Sequence, residues 1–286
     1  MANELGNTEL SAEIPENWRP RFIERFYEEN YVLPRVLNVT GDFKQKGDIA
    51  HIEVESFDLT VNSVSADGSL TVQTNTPTDV TVTIDKNKDV TNEWVGKTRE
   101  QALGLWEKQF PISAGNALRE QMEEDILGQY ASATLTAQGD GTGNLGEDEL
   151  LGAIQQHISA KLPIMKKPGE WTLALPDNQF APLKKLGLLD FDKTGQAGEG
   201  GASTMALPKL WNIPVVFSTQ VASASSIRYG LLFHNTAMAW AAQRNVTPRM
   251  ADRLAAAKDS WIATVLALYG VGVVVAGRMG QLKSKA

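Results

Sequence analysis

Apolar and polar residues alternate with a period of two between residues 47 and 84, as in strands that bury one face. Ile52 and Val54 are separated by glutamate, and the pair Asp67-Gly68 is a turn signal between two such runs. The pattern predicts a long β-hairpin. Because an isolated two-stranded hairpin is marginally stable in water, we expect it to lie on the rest of the chain or on another chain.

A helical period follows the hairpin. Leu118, Met122 and Ile126 recur at four-residue spacing, which places them on one face of a helix. Ser113, which lies two residues after a proline, is suited to cap its N-terminus. We therefore predict a helix of about twenty residues that begins near Ser113. The acidic residues 120–125 are expected to form its solvated face.

Two more helices are predicted from the same period. One follows a glycine-rich loop and begins with the acidic run 147–149, which suits the positive end of the helix dipole. Its predicted buried stripe comprises Leu151, Ile154, Ile158 and Leu162. The other is a short amphipathic helix near the N-terminus, whose apolar face comprises Trp18, Phe22 and Phe26.

The second half of the chain mixes both periods. Residues 171–175 and 213–217 are predicted strands, and the spacing of Met250, Leu254 and Ala257 predicts a helix that changes to a strand near residue 260. The hairpin precedes this mixed region as a separate block. That order favours an α+β fold over a doubly wound sheet.

Composition limits the function classes. The chain has 286 residues and a formal charge of −7. This charge excludes a basic nucleic-acid-binding surface over the whole molecule, but it does not exclude a local basic patch. The absence of cysteine excludes disulfides, cysteine-based metal centres and thiol nucleophiles. Residues 261–277 carry no charge, but they are short and interrupted by glycine, so we expect a buried strand and no membrane partner.

Candidate chemistry is sparse. Residues Gly141–Gly146 have the glycine spacing of a dinucleotide-binding loop, which in such proteins follows a strand. Here the preceding residues are predicted to be helical through Thr134, which leaves only residues 135–137 for a strand. The three histidines have neither metal-ligand nor catalytic spacing. We therefore expect no enzyme activity, no cofactor and no metal site.

Several stretches, in this order, resemble the major capsid proteins of tailed double-stranded DNA bacteriophages, the HK97-like family. Residues 81–86 resemble the strand that leaves the family's extended loop, and residues 117–131 resemble its spine helix. Residues 210–218 are similar to its Ile-Pro-Val-Val strand, residues 232–237 to its Phe-His-x-x-Ala segment, and residues 268–274 to its closing Tyr-Gly-x-x-Val-Val strand. The order covers nearly the whole chain.

The resemblance implies a division of the chain. The parts are an N-arm (1–45), an extended β-hairpin loop (46–90), a peripheral domain with the spine helix (91–138), an axial domain (139–229), a peripheral return (230–268) and an axial closing strand and tail (269–286). The arm and the loop would cross neighbouring subunits, which accounts for their small core. The expected subunit-interface residues are Trp18, Phe22, Phe26, Phe57, Leu59, Asp67, Gly68, Leu70 and Trp94.

The resemblance also implies a structural function without a cofactor. Copies of the chain would assemble through hexamers and pentamers into an icosahedral head. Assembly would take place in the host cytoplasm, and the protein would then be part of the virion. The implied partners are other copies, a separate scaffolding protein, a portal protein and packaged DNA held by non-specific contact. The resemblance leaves open whether a decoration protein also binds. The charge of −7 fits, because the family fills its heads with a motor rather than by attraction to DNA. No lysine–asparagine cross-link is predicted.

Two alternatives remain at this stage. An encapsulin, a bacterial nanocompartment shell, has the same fold and would enclose a cargo enzyme instead of a genome. The other alternative is a nucleotide-dependent enzyme that uses the Gly141–Gly146 loop, and it predicts a strand directly before Gly139.

Overall fold

The structure is a computed structural model, and it describes most of the chain. The described residues are 32–42, 49–54, 61–64, 68, 70, 72–73, 77–95, 97–189, 208–255 and 258–286. Within these ranges it describes the backbone but not the side chains of residues 94–95, 97–109, 244–255 and 258–261.

Three helices and thirteen strands form the described part. In chain order they are β1 (Leu37–Asn38), β2 (Ile49–Val54), β3 (Thr78–Thr83), β4 (Lys86–Val95), α1 (Lys97–Leu127), β5 (Leu135–Gln138), α2 (Glu147–Ser159), β6 (Trp171–Pro176), α3 (Phe180–Lys185), β7 (Lys209–Leu210), β8 (Ile213–Ser218), β9 (Ser223–Ala224), β10 (Ile227–His234), β11 (Met238–Ala255), β12 (Lys258–Val273) and β13 (Met279–Lys285). The mixture confirms the predicted α+β class. The strands predicted at 171–175 and 213–217 are confirmed as β6 and β8.

The strands form two sheets and a separate hairpin. The first sheet, here called the large sheet, has the order β5-β13-β10-β6-β8-β7, with β9 paired to β10. The second, the long-strand sheet, has the order β1-β11-β12-β4. Strands β2 and β3 pair with each other as the hairpin. In the large sheet, β6 and β8 run parallel and β10 runs antiparallel to β6, so it is a mixed sheet.

The large sheet is covered on both faces. All six residues of β6 are buried, as expected for a central strand with no solvated side. On one face, Leu150 of α2 and Leu183 of α3 pack with Trp171 and Leu173. On the other, Ile126 at the end of α1 packs with Phe233 of β10. This sheet therefore carries its own hydrophobic core.

Strands β11 and β12 overturn the helix predicted around Met250. Met250 pairs with Ala263, and Leu254 pairs with Asp259, within a continuous antiparallel ladder. The helix preference of alanine, leucine and methionine is below ~1 kcal/mol per residue. Pairing with β12, which is rich in β-branched residues, outweighs that local preference. The uncharged stretch after Trp261 lies mainly in β12 and is a core strand, as predicted.

Helix α1 is longer than predicted, and Ser113 is not its N-cap. The helix begins at Lys97 and contains Pro111 in its interior. A proline removes one helical hydrogen bond and normally ends a helix. Here Phe110 and Ala114, on either side of the proline, both pack on the long-strand sheet. That packing holds the helix across the proline. The predicted stripe of Leu118, Met122 and Ile126 is confirmed as buried.

Helix α2 is rotated relative to its predicted face. Its buried residues are Leu150, Ala153, Ile154 and His157. Leu151 and Ile158, which were predicted to be buried, are exposed. Apolar residues occur on both sides of this helix, so the spacing alone left its rotation open.

The acidic face of α1 is only partly solvated, contrary to the prediction. Asp125 accepts a hydrogen bond of 2.6 Å from the hydroxyl of Tyr269 on β12, and its other oxygen lies 3.4 Å from Nζ of Lys86 on β4. Burial, together with the Asp125 carboxylate, raises the pKa of Tyr269 well above its usual range, so the phenol remains a donor. This contact joins α1 to two strands of the long-strand sheet.

Replacing Tyr269 by phenylalanine tests that contact. We expect Tyr269→Phe to lower the free energy of unfolding by about 1.5–3 kcal/mol, because it removes a hydrogen bond to a charged and largely buried acceptor. Urea denaturation measures the loss. The control is Tyr130→Phe, since Tyr130 is half-buried and stacks on Tyr229. Equal effects of the two substitutions would contradict a special role for the Asp125 contact.

Candidate assembly surface

The hairpin is held at one end. Ala50 and Val82 face each other across β2 and β3, and both are buried against Ala239 and Ala241 of the long-strand sheet. One step farther along, Ile52 is only half-buried. The opposite face of the hairpin is exposed and mainly polar, with Ile49 as an apolar residue on it. Burial therefore falls with distance from the sheet along β2 and β3, as far as the structure describes them.

The described residues between β2 and β3 have no strand partner. The alternation predicted around Leu70 therefore does not form a paired strand within the described part of this segment. Apolar side chains there point into solvent: Val61 is 97% exposed, Leu70 75% and Val72 88%. Exposed apolar residues grouped in one segment are typical of a surface that contacts another molecule.

The other predicted interface residues fall in different places. Gly68 has a left-handed φ of 79°, and a Cβ placed on it would meet no other atom within 4 Å, as suits an open turn. The backbone of Trp94 pairs with Trp261 of β12 at the far end of β4. The remaining predicted residues lie outside the described part of the chain: Trp18, Phe22, Phe26, Phe57, Leu59 and Asp67.

Two short crossings join the large sheet to the long-strand sheet, and side chains tie them together. The first crossing follows His234 at the end of β10, and the second precedes Arg278 near β13. Arg278 donates a hydrogen bond to Oγ1 of Thr236, and that hydroxyl lies 2.9 Å from Nδ1 of His234. Nε2 of His234 lies 3.2 Å from the carboxylate of Glu170. Polar side-chain contacts therefore join the two crossings, and the sequence pattern did not predict them.

Two histidines lie on either side of one buried tryptophan. The rings of His157 and His234 each meet Trp171 edge-on, with centroid distances of 5.0 Å. His157 is fully buried, and its Nδ1 lies 2.7 Å from the carbonyl oxygen of Ala153. Burial lowers the pKa of both histidines, and for His234 the Glu170 carboxylate opposes this effect. Both rings therefore favour the neutral form; both pack against Trp171, and His234 also holds the polar contacts of the junction.

The Gly141–Gly146 loop does follow a strand, contrary to the sequence prediction. Helix α1 ends at Leu127, and β5 pairs in parallel with β13 directly before the loop. The surroundings, however, are only partly open: a Cβ on Gly143 would meet no atom within 4 Å, whereas Gly139 and Gly141 face protein. A Cβ on Gly139 would lie 2.3 Å from the carbonyl oxygen of Lys283, and one on Gly141 would lie 2.7 Å from Ile227. Their positive φ angles and this close packing account for glycine at both positions.

The start of α2 is unsuited to a phosphate. The backbone N–H of Gly146 donates to the Glu149 carboxylate at 2.9 Å, and Glu147 and Asp148 add two more negative charges. Asp140 accepts hydrogen bonds from the backbone and hydroxyl of Thr142, which lower the pKa of its carboxyl. A dinucleotide site uses free N–H groups at this point. The loop serves to connect β5 to α2.

Other candidate sites are weak within the described ranges. No group of three or more histidine, aspartate or glutamate side chains there is placed to hold a metal ion. None of the described helices has both the length and the apolar character needed to cross a membrane. A polar cleft of about 490 Å³ lies between the end of α1 and the β8–β9 connection, where Lys86 and Asp125 pair with each other.

Comparison with solved structures shows the fold. A structure from Mycobacterium phage Che8 matches with a TM-score of 0.68 and 18% identity, over 94% of this chain and 96% of its own. The capsid structure of the cyanophage P-SCSP1u matches with a TM-score of 0.64 and 15% identity, over 99% and 96%. The mature capsid of bacteriophage PhiM1 matches with a TM-score of 0.65 and 12% identity, over 95% and 92%. The chain therefore has the fold of phage capsid structures.

At the level of sequence, no protein-family model and no curated protein matches the chain. The likeness is therefore one of backbone arrangement over nearly the whole length.

The buried histidines predict a pH dependence of stability. A histidine whose pKa is lower in the folded than in the unfolded state favours folding fully above its ordinary value of 6.5, and this advantage is lost as the pH falls below it. We expect the urea midpoint to fall between about pH 7.5 and about pH 5.5. In His157→Leu that fall should be smaller.

His51→Gln is the matched control, since His51 lies on the exposed face of the hairpin. An equal reduction in His51→Gln and in His157→Leu would show that the loss of any imidazole, and not of the buried ring, is responsible. An unchanged pH dependence in His157→Leu would contradict the assignment to the buried ring.

Proposed function

We propose that this chain is the major capsid protein of a tailed double-stranded DNA bacteriophage, built on an HK97-like fold. The observation that carries the proposal is the match to two phage capsid structures over at least nine-tenths of each chain. In this proposal copies of the chain form hexamers and pentamers, which close into an icosahedral head around the genome. The role is structural and involves no enzyme activity.

The hairpin supports the proposal independently of the comparisons. Its base is buried on the long-strand sheet, while Val61, Leu70 and Val72 remain exposed to solvent. Burial of one such side chain stabilises a contact by about 1.5–3 kcal/mol. A neighbouring subunit that covers these residues would gain this energy, and a closed shell repeats the contact at every equivalent position.

We assign domains from sheet membership. The large sheet with α2 and α3 is the proposed axial domain, and the long-strand sheet with α1 is the proposed peripheral domain. The chain passes from the long-strand sheet to the large sheet through α1, between β4 and β5, and passes between the sheets again at residues 235–237 and 274–278. Residues 1–45 are the proposed N-arm, and the hairpin between β2 and β3 is the proposed extended loop.

The partners follow from this role. The chain would bind other copies of itself, a scaffolding protein during assembly, a portal protein at one vertex and packaged DNA without sequence preference. The interface residues include Trp18, Phe22, Phe26, Phe57, Leu59, Asp67, Gly68, Leu70 and Trp94. The protein would reside in the virion after assembly in the host cytoplasm.

Electron microscopy of the purified protein, co-expressed with its candidate scaffolding protein, tests the proposal. We expect closed icosahedral particles, or rings of six and five subunits. Light scattering of the protein alone gives the size of any free capsomer. A monodisperse monomer or dimer under every condition would contradict the capsid role. Particles that contain a cargo enzyme in their native host, without a genome, would instead identify an encapsulin.

The exposed hairpin residues predict a mutational asymmetry. Replacing Val61, Leu70 and Val72 together by serine, or deleting residues 60–75, should prevent shell formation, because the neighbouring subunit loses its apolar contact. The large sheet should keep its thermal unfolding transition, since Val61, Leu70 and Val72 are exposed and lie outside its core. Particle yield by sedimentation and unfolding by circular dichroism measure the two effects.

Trp18→Ala is expected to have the same outcome through the N-arm. The control is Thr81→Ser, which changes an exposed polar residue at the hairpin base without removing apolar surface. Unchanged particle yield in the hairpin variants and in Trp18→Ala would show that the contacts lie elsewhere.

A further inference from the structure

Two alanines and two glycines lie together where the hairpin rests on the long-strand sheet. Ala241 pairs with Gly270, and Ala239 pairs with Gly272, across β11 and β12. Residues directly opposite each other, and two apart along a strand, share one face of a sheet. The four residues therefore form a shallow block on one face, which is here called the glycine seat.

Strand β3 lies on the glycine seat at backbone distance. A Cβ placed on Gly270 would stand 2.0 Å from the carbonyl oxygen of Thr83 and 3.0 Å from Cα of Ile84. A Cβ on Gly272 would stand 3.1 Å from Cγ2 of Val82. The first obstacle is backbone, which cannot rotate away, whereas the second is a side-chain methyl group. Glycine inside a strand often marks such a close approach of another backbone.

Backbone conformation does not require glycine at either position. The φ angles of Gly270 and Gly272 lie outside the left-handed range that side chains avoid, unlike that of Gly141 at 76°. Alanine would therefore fit the β12 backbone itself. The only cost of a side chain at Gly270 is the displacement of β3.

The seat lies at the point where the chain leaves the sheet. Strand β4 pairs with β12 from Val95 as far as Lys86, which lies opposite Tyr269. The next β12 residue is Gly270, and β3 crosses it there at Thr83, three residues before β4 begins at Lys86. The hairpin therefore extends from this crossing, and its direction depends on how closely β3 approaches β12.

We propose that Gly270 and Gly272 are positioning residues that set the direction in which the hairpin leaves the subunit. Relief of the clash at Gly270 requires a shift of about 1 Å at Thr83, and a tilt of that origin grows along the hairpin, because each strand residue adds ~3.3 Å. The exposed residues beyond β2 would then miss their contact on the neighbouring copy. The link to assembly rests on the proposed capsid function, whereas the link to hairpin direction does not.

Spin-label distances test the hairpin direction in the unassembled protein. The chain has no cysteine, so a pair of introduced cysteines is labelled without background. Glu53→Cys on β2 and Lys88→Cys on β4 are both exposed and report the hairpin against the long-strand sheet. We expect Gly270→Ala to shift the mean label distance by about 3 Å or more. Gly272→Ala should shift it less, because a side chain yields more easily than backbone.

Gly277→Ala is the matched control, since the nearest atom to a Cβ placed there is a hydroxyl oxygen at 4.0 Å. It should leave the distance unchanged. Thermal unfolding and circular dichroism identify a variant that fails to fold, and Gly272→Ala, with the milder clash, keeps the test decisive in that case. Unchanged distances in both folded seat variants would overturn the proposal.

Assembly of the same variants separates the two parts of the inference. If the unmodified protein forms a regular shell, we expect Gly270→Ala to give at least a tenfold lower yield of regular particles, or particles of altered diameter. A shifted label distance with unchanged particles would overturn the link from hairpin direction to assembly. If the unmodified protein forms no shell, the capsid function fails, while the label distances still decide the role of the seat.

Discussion

The contact between β3 and β12 at the glycine seat determines how the hairpin relates to the rest of the molecule. Val82 is fully buried there, and the Thr83 backbone lies so close to Gly270 that no side chain fits between them. This is the contact through which the described hairpin reaches a hydrophobic core. An isolated hairpin is marginal in water, so its order depends on this attachment. Beyond this attachment, the apolar side chains of Val61, Leu70 and Val72 are exposed.

The two sheets provide a rigid base for that attachment. The large sheet has a core on both faces, and α1 covers the long-strand sheet. Asp125 joins α1 to β12 and β4, while the junction at His234, Thr236 and Arg278 joins the two sheets. In a shell, contacts repeat by symmetry, so a small error in the orientation of one hairpin is repeated at every equivalent interface. A firmly held base is therefore a requirement of the proposed function.

Sequence pattern predicted the elements whose signal is local. Alternation around Ile52 and Val54 gave β2, and the stripe of Leu118, Met122 and Ile126 gave the C-terminal half of α1. The predictions failed where a distant contact outweighs a local preference. The segment around Met250 has helical spacing but pairs with β12 as a strand. Helix α1 continues through Pro111 because Phe110 and Ala114, on either side of the proline, pack on the long-strand sheet.

The candidate surface was only partly accessible from the sequence. An exposed hairpin segment follows from its weak core, and Leu70 is indeed exposed. Gly270 and Gly272 interrupt an apolar run in the sequence, but their role depends on the strand that crosses them. That crossing joins residues nearly two hundred positions apart, and no local pattern encodes it.

A density map of the assembled particle at side-chain resolution tests the central claim most directly. The quantity to measure is the surface of Leu70 and Val72 that is covered in the particle, and the subunit that covers it. We predict that both side chains are buried against a neighbouring copy, with β3 still seated on Gly270 of its own subunit. Side chains that stay in solvent, or that fold back on their own subunit, would contradict this account.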